Sequence, residues 1–167
     1  GHAERVANYS VAVSAQLGLS QAEIHRIRIA ALLHDVGKLA VHHSAGDAKG
    51  RELHVLAGEK VLAEIEGFED ILPGVKYHHE KADGTGFPYG IKNDEPPRMA
   101  RVIIVTNTFD NMCTLGGVGG EGISVKDALV DIGRSSGMEF DKKVTDALLV
   151  AHRNGTLYTP PKGLGEV

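Results

Sequence analysis

The sequence predicts an all-α fold, a single helical bundle, from three observations. Apolar residues recur at spacings of three and four along several segments, as on one face of an amphipathic helix. Residues with N-cap chemistry precede several of these segments. No segment shows persuasive alternation of apolar and polar residues, the pattern of a half-buried strand. A chain of 167 residues with 42% hydrophobic content can bury one core without disulfide staples.

The first two helices are predicted from one stripe each. The first stripe consists of His2, Val6, Tyr9, Val13 and Leu17. Ser20 with Glu23 resembles a capping box, which starts the second helix. Its apolar face, from Ile24 through Ala31, continues to His34. Gly37 and Lys38 are expected to end this helix.

A third helix is predicted from about Glu52 to Ile65. Its stripe is expected to be His54, Gly58, Val61 and Ile65. A glycine within a helix costs ~1 kcal/mol relative to alanine. Gly58 therefore indicates that another part of the chain approaches this helix closely.

The second half alternates loops and helices. A short segment from about Glu69 leads to His78-His79, and residues 83–90, the glycine-rich loop, hold three glycines and a proline. Helices are predicted at 98–114, after Ser124 through Ile132, and at 142–152 after Asp141. We expect the polar loop with His42-His43 to be solvated, the segment 116–122 to be mobile, and the tail 154–167 to be irregular.

Composition excludes several classes of function. The formal charge of −4 gives no basic surface for duplex nucleic acid. No apolar run approaches the ~20 residues that span a bilayer, so membrane insertion is not expected. The lone Cys113 excludes an internal disulfide and suits a reducing, cytoplasmic setting.

Six residues form a candidate metal site: His2, His34, Asp35, His54, His78 and His79. A lone His34 is more often a core histidine bonded to a backbone carbonyl, but the adjacent Asp35 needs a cation or several donors if it is buried. Five imidazoles and one carboxylate exceed the needs of one ion. We expect two divalent ions bridged by Asp35 and a water, with iron or manganese favoured and zinc or nickel as alternatives. Lys38, one turn beyond His34, is expected to stabilise phosphate charge or steady the bridging water.

The motifs resemble those of the HD-GYP family, a branch of the HD-domain metal-dependent phosphohydrolases. His34-Asp35-Val36-Gly37-Lys38 is similar to the motif that names the superfamily. Residues 78–88, HHEKADGTGFP, look like the second signature, with Phe87 where the family usually has tyrosine. Residues 98–110 and 136–141 resemble two later blocks. The resemblance covers residues 2 to about 150.

The resemblance implies an HD-domain bundle with its metal site between helices, and hydrolysis of cyclic di-GMP to pGpG, with GMP left open as a further product. The six candidate residues match metal ligands, Asp35 and Lys38 match catalytic positions, and Asn107 stands where the family usually has an aspartate ligand. Candidate substrate-binding residues are Lys38, Asp83, Gly84, Gly86 and Pro88. A cyclic dinucleotide is the expected partner, with signalling proteins at the glycine-rich loop and a homodimer as further options.

Departures from the family pattern leave alternatives open. A neutral amide at Asn107 binds a cation less strongly than a carboxylate, although Asp110 is close enough in sequence to substitute. The arginine- and tyrosine-containing substrate motif usual after Cys113 is missing, the loop before His54 is short, and valine follows His54 in place of proline. The alternatives are a degenerate module that binds a nucleotide or protein, and a phosphohydrolase acting on another phosphoester.

The predicted domain covers residues 1–153. The sequence starts inside a helical pattern, which favours a fragment of a longer protein that lacks an N-terminal region. Gly1-His2 is open to a second interpretation, as a cloning remnant.

Overall fold

The computed structural model describes residues 1–41, 48–114 and 122–158. Within these ranges it contains seven α-helices and two 3-10 turns but no β-strand, which confirms the all-α prediction. The helices are α1 (His2–Gln16), α2 (Gln21–Leu33), α3 (Ala48–Ala63), α4 (Leu72–Lys76), α5 (Arg98–Thr114), α6 (Val125–Arg134) and α7 (Lys142–Arg153). The 3-10 turns are Val36–Ala40 and Thr156–Tyr158. No helix in these ranges is long and apolar enough to cross a membrane.

Helix α5 is the central element of the bundle. Its long buried face includes Ile103 and Phe109, both fully buried. One side of α5 packs in a core with α6, α7 and part of α1, and Ile103 joins a second cluster with residues of α1 and α2. The predicted bounds of this helix are confirmed.

The capping predictions are also confirmed. Ser20 accepts from the Glu23 amide while Glu23 bonds back to the Ser20 backbone, which completes the capping box of α2. Ser124 caps α6 through the Asp127 amide, and Asp141 caps α7. The predictions for His42-His43 and for the mobile segment 116–122, except Gly122, fall outside the described residues.

The predicted face of α3 is wrong in part. Val61 and Ile65 are each 43% exposed, whereas Val55 and Leu62 are buried. The helix also begins earlier than expected, at Ala48, and ends at Ala63. Both stripes have helical spacing, so periodicity alone could not choose between them.

Gly58 lies where the turn Val36–Ala40 crosses α3. A Cβ at Gly58 would lie 3.3 Å from the Gly37 nitrogen and 3.2 Å from a Val75 methyl. A Cβ at Gly37 would lie 1.9 Å from the carbonyl oxygen of His54. The predicted close approach at Gly58 is therefore confirmed, and Gly37 does not simply end α2, which stops at Leu33.

The last described residues pack against the bundle. Thr156–Tyr158 form a 3-10 turn, and Leu157 is 2% exposed within the main core. Packed structure thus continues past residue 153, while residues 159–167 lie outside the described range. The domain limit at residue 153 stays a prediction.

We predict that Gly37→Ala lowers the free energy of unfolding by about 2 kcal/mol, because the added methyl overlaps backbone atoms that cannot move away cheaply. Urea denaturation in buffer with a chelator measures the effect without any contribution from bound metal.

Gly133→Ala is the matched control. Gly133 lies inside α6, and nothing lies within 4 Å of its added Cβ. This substitution should stabilise the protein by ~0.5–1 kcal/mol through helix propensity. Equal effects at the two glycines would contradict the close packing of Gly37 on α3.

Candidate metal centre

Asp35 lies at the junction of α2 and the following 3-10 turn, and each of its carboxylate oxygens faces different imidazoles. Oδ1 is 3.3 Å from His54 Nε2 and 3.9 Å from His78 Nε2. Oδ2 is 3.3 Å from His34 Nε2 and 3.7 Å from His2 Nε2. The side chain is only 16% exposed. Asp35 is therefore placed to bridge two sets of ligands.

The polar atoms form two groups that share Asp35. The first group is Asp35, His54, His78 and His79, and the second is His2, His34 and Asp35. Within each group, one ligand atom per residue lies within 4.8 Å of the others. Helix α1, the ends of α2 and α4, and α3 thus bring all six sequence-predicted candidates together. Their role as metal ligands stays a prediction.

Backbone carbonyls orient two of the imidazoles. His34 donates from Nδ1 to the Ala31 carbonyl at 2.7 Å, and His78 donates from Nδ1 to the Val75 carbonyl at 2.7 Å. A carbonyl can only accept, so Nδ1 carries a proton, and in the neutral form of each ring the lone pair is on Nε2. The alternative for His34, a histidine bonded to a carbonyl, is correct for one nitrogen, while the other nitrogen points to Asp35.

A buried ion pair orients His2. Asp110, fully buried, accepts from His2 Nδ1 at 2.7 Å and from Arg5 Nε and Nη2 at 2.7 and 2.9 Å. A carboxylate behind a histidine fixes its tautomer and makes the other nitrogen more basic. Asp110 is thus engaged behind His2, and the suggestion that it substitutes for Asn107 finds no support in these contacts.

Burial determines the charge of the imidazoles after α4. It lowers the pKa of His79 to about 3, with a further contribution from neighbouring His54. Burial also lowers the pKa of His78, helped by His79 and His34. Both rings are therefore neutral at pH 7 and carry a lone pair for a metal.

Asp35 is ionised despite its environment. Burial opposes ionisation, but the facing His34 imidazole and the hydrogen bond and charge of Lys38 outweigh it and hold the pKa of the Asp35 carboxyl well below its usual range. Lys38 Nζ donates to Asp35 Oδ2 at 2.5 Å. Lys38 is 56% exposed, so its ammonium lies between the carboxylate and solvent.

The donor set fits a divalent transition metal. His34 Nε2 and Asp35 Oδ1 are buried and have no hydrogen-bond partner. Leaving such atoms unpaired is costly, and a cation would satisfy both. Imidazole and carboxylate ligands without thiolate suit iron, manganese, zinc or nickel.

Asn107 is buried on α5, one turn before Asp110. Its side chain is 5% exposed, and its amide oxygen accepts from Asn111 Nδ2 at 3.1 Å. This partner lies on the same helix, so this contact does not link Asn107 to a neighbouring helix.

Glu80, which the sequence reasoning did not single out, anchors the glycine-rich loop. Its carboxylate is buried and accepts from the backbone N–H groups of Tyr89 at 2.7 Å and Ile91 at 3.2 Å. The signal available in the sequence was an acidic residue between a histidine pair and a loop. Such a carboxylate finds donors in a loop with many free N–H groups.

The glycine-rich loop is held against the site. Phe87 stacks on His79 with ring centres 4.4 Å apart, and its N–H donates to the His79 carbonyl. A Cβ at Gly86 would lie 2.4 Å from that carbonyl, so Gly86 is required by packing. Asp83, a candidate substrate-binding residue, accepts from the backbone N–H and the hydroxyl of Thr85, and neighbouring Gly84 has φ +78°. The substrate-binding role of Asp83 stays a prediction. The bond between Phe87 and Pro88 is cis.

Fold and site together define an all-helical domain in which a histidine–aspartate pair joins imidazoles from neighbouring helices. The HD-domain family model matches residues 1–144. The chain belongs to the HD-domain family and, by its relatives, to the HD-GYP branch.

Two curated relatives show the range of similarity. The chain is 38% identical over 119 residues to the 3'3'-cGAMP-specific phosphodiesterase 3 of Vibrio cholerae, covering 66% of this chain and 26% of that protein. It is 31% identical to the cyclic di-GMP phosphodiesterase response regulator RpfG of Xanthomonas campestris, covering 87% of this chain and 41% of that protein. The chain thus spans less than half the length of each of these two relatives.

Solved structures support the fold. The cyclic GMP-AMP-specific phosphodiesterase structure from V. cholerae matches with a TM-score of 0.78 at 19% identity, covering 98% of this chain and 46% of that chain. Bd1817, an HDG"Y"P protein from Bdellovibrio bacteriovorus, matches with a TM-score of 0.75 at 19% identity. The match covers 91% of this chain and 51% of that chain.

We predict that Glu80→Gln destabilises the protein by about 1.5–3 kcal/mol, because one buried backbone N–H loses a charged acceptor and faces an amide NH₂ instead. Denaturation of the metal-free protein measures the loss, and faster exchange of the Tyr89 or Ile91 amide locates it.

Glu95→Gln serves as the control, since exposed Glu95 accepts from the Lys92 amide in the same segment. It should change stability by no more than ~0.5 kcal/mol. A similar loss for both variants would mean that Glu80 does not anchor the loop.

Proposed function

We propose that this chain is a metal-dependent phosphodiesterase that opens a cyclic dinucleotide, with cyclic di-GMP as the first candidate and pGpG as the product. GMP would be a further product if the linear dinucleotide is cut again. The observation that carries the proposal is Asp35, whose two oxygens face two imidazole groups while Lys38 contacts the same carboxylate. This arrangement suits two cations near one phosphoryl group.

The relatives support this class of reaction and leave two substrates in competition. Cyclic di-GMP is named for RpfG and for a relative from Thermotoga maritima, and 3'3'-cGAMP for the V. cholerae enzyme. Both substrates present the same phosphodiester linkage to the metal centre. The choice between them therefore depends on base recognition outside the groups described above.

The chain's own residues would divide the work as follows. His54, His78 and His79 with Asp35 would hold one ion, and His2 and His34 with Asp35 the other. Bound divalent ions supply electrophilic activation of the phosphoryl group and lower the pKa of water toward ~7. Lys38 offers a cation at the solvent side of Asp35, where it can neutralise anionic phosphoryl oxygens. The backbone of the glycine-rich loop would contact the substrate beside His79.

We predict that Asp35→Ala removes metal from both groups and abolishes turnover. His54→Ala removes one ligand, so it should lower the metal content of one group only. The loss in turnover should exceed the roughly 10–100-fold that outer-sphere changes cause. Elemental analysis of manganese- or iron-loaded protein gives the stoichiometry, and product analysis gives turnover of cyclic di-GMP, 3'3'-cGAMP and a mononucleotide.

The control for these variants is His25→Ala, because His25 is exposed on α2. It should keep both metal content and turnover. The proposal is overturned if fully metal-loaded protein leaves both cyclic dinucleotides intact. Faster turnover of the mononucleotide would favour the alternative phosphohydrolase.

Asn107 favours a second candidate function, a degenerate module that binds a nucleotide or partner protein without cleaving it. The amide stands at the usual aspartate position, and Asp110 is occupied by Arg5 and His2. A module of this kind would keep part of the metal site and lack turnover.

We predict that Asn107→Asp raises metal content per chain and increases turnover, because a carboxylate binds a divalent cation more strongly than an amide. Asn111→Asp adds the same charge one turn further along α5 and should do neither. If Asn107→Asp leaves metal content and turnover unchanged, position 107 does not limit the site.

A cytoplasmic location, signalling partners at the glycine-rich loop and a homodimer accompany this proposal as predictions. The location rests on the single free cysteine.

A further inference from the structure

Tyr89 connects the glycine-rich loop to α3 and α4. Its hydroxyl donates to Glu59 Oε2 on α3 at 3.1 Å. Lys76, at the end of α4, donates to Glu59 Oε1 at 2.5 Å, and its ammonium lies 5.0 Å from the centre of the Tyr89 ring. One carboxylate on α3 thus accepts from both the loop and the end of α4.

The cluster has the charge state that this geometry needs. The ammonium of Lys76 and the carboxylate of Glu59 form an ion pair, with the nitrogen 2.5 Å from Oε1. Burial, together with the Glu59 contact, raises the pKa of Tyr89, so the phenol keeps the proton that it donates. A charged ammonium near an aromatic face adds a cation–π attraction.

Tyr89 anchors the end of the loop through its side chain, whereas Glu80 holds the same end through the backbone amides of Tyr89 and Ile91. On one side of Pro88, Phe87 stacks on His79. On the other side, Tyr89 reaches Glu59. The bonds between Asp83 and Thr85 stay within the tip and fix its shape, not its position on the bundle.

We propose that Tyr89, Glu59 and Lys76, the Tyr89 clamp, position the glycine-rich loop on α3 and thereby set how tightly substrate is held beside His79. They are positioning residues, and none of them belongs to the two imidazole groups. The part of this inference that concerns substrate rests on the proposed function; the part that concerns the loop does not.

The three clamp side chains are partly exposed, which indicates that they position the loop and contribute little to the stability of the whole bundle. The side chains of Glu59 and Lys76 are 23% and 27% exposed, and Tyr89 is 47% exposed. Ion pairs with this much solvent access add little to global stability. Losing the clamp should therefore loosen the loop while leaving the bundle folded.

Tyr89→Phe is the primary test, since it removes only the hydroxyl. We expect faster hydrogen–deuterium exchange in residues 83–91 and a KM for the cyclic dinucleotide that is about threefold to tenfold higher, the value of one modest hydrogen bond. The kcat at saturation and the metal content should stay unchanged. Glu59→Ala should give the same effects, and the double variant should be no worse than either single one.

Tyr77→Phe is the matched control. Tyr77 lies 5.7 Å from Tyr89 between ring centres, but within the described residues its hydroxyl has no hydrogen-bond partner. It should leave exchange and KM at the parent values. Faster loop exchange in Tyr77→Phe as well, or none in Tyr89→Phe, overturns the clamp.

The two readouts separate this inference from the proposed function. If the parent protein turns over no cyclic dinucleotide, the proposed function fails, and loop exchange alone decides the clamp. If the parent is active and Tyr89→Phe loosens the loop without raising KM, the clamp has no positioning role and the inference is wrong.

Discussion

The close contact between Gly37 and the backbone of α3 is the constraint on which the site depends. Only a residue without a side chain lets the turn Val36–Ala40 lie against the His54 carbonyl. That contact holds Asp35, two residues earlier, 3.3 Å from the His54 imidazole. A bulkier residue at position 37 would push the turn off α3, so the approach of carboxylate and imidazole follows from backbone packing before any metal binds.

Two buried carboxylates, Asp110 and Glu80, and the partly buried Asp35 have different partners, and the difference indicates which of these three serves chemistry. Asp110 is neutralised by Arg5 and bonded to His2. Glu80 is satisfied by two backbone N–H groups. Asp35 alone of the three keeps a buried oxygen without a hydrogen-bond partner. Since a buried charge needs compensation, the first two are structural supports, and Asp35 is the carboxylate with capacity left for a cation.

Local signals predicted much of this fold, and packing determined the rest. Ser20, Ser124 and Asp141 fixed helix starts because a cap bonds its own helix. The convergence of the histidines followed from motif resemblance. The buried face of α3 could not be predicted, because Val61 and Leu62 both fit a helical stripe that contains Gly58, and only the packing of the fold buries Leu62 while Val61 stays 43% exposed. The roles of Arg5 and Glu80 were missed because their partners are a distant carboxylate and loop amides.

The two imidazole groups differ in the number and the burial of their ligands, and this difference affects how strongly each group would bind an ion. The group with His54, His78 and His79 offers three imidazoles, two of them fully or almost fully buried. The other group offers two, and its His2 begins α1 with a side chain 31% exposed. His2 also depends on Asp110 of α5, the helix that carries Asn107. More ligands in a drier setting give the stronger site. The geometry therefore favours unequal affinities, with the group at His2 as the weaker one and the one most exposed to changes along α5.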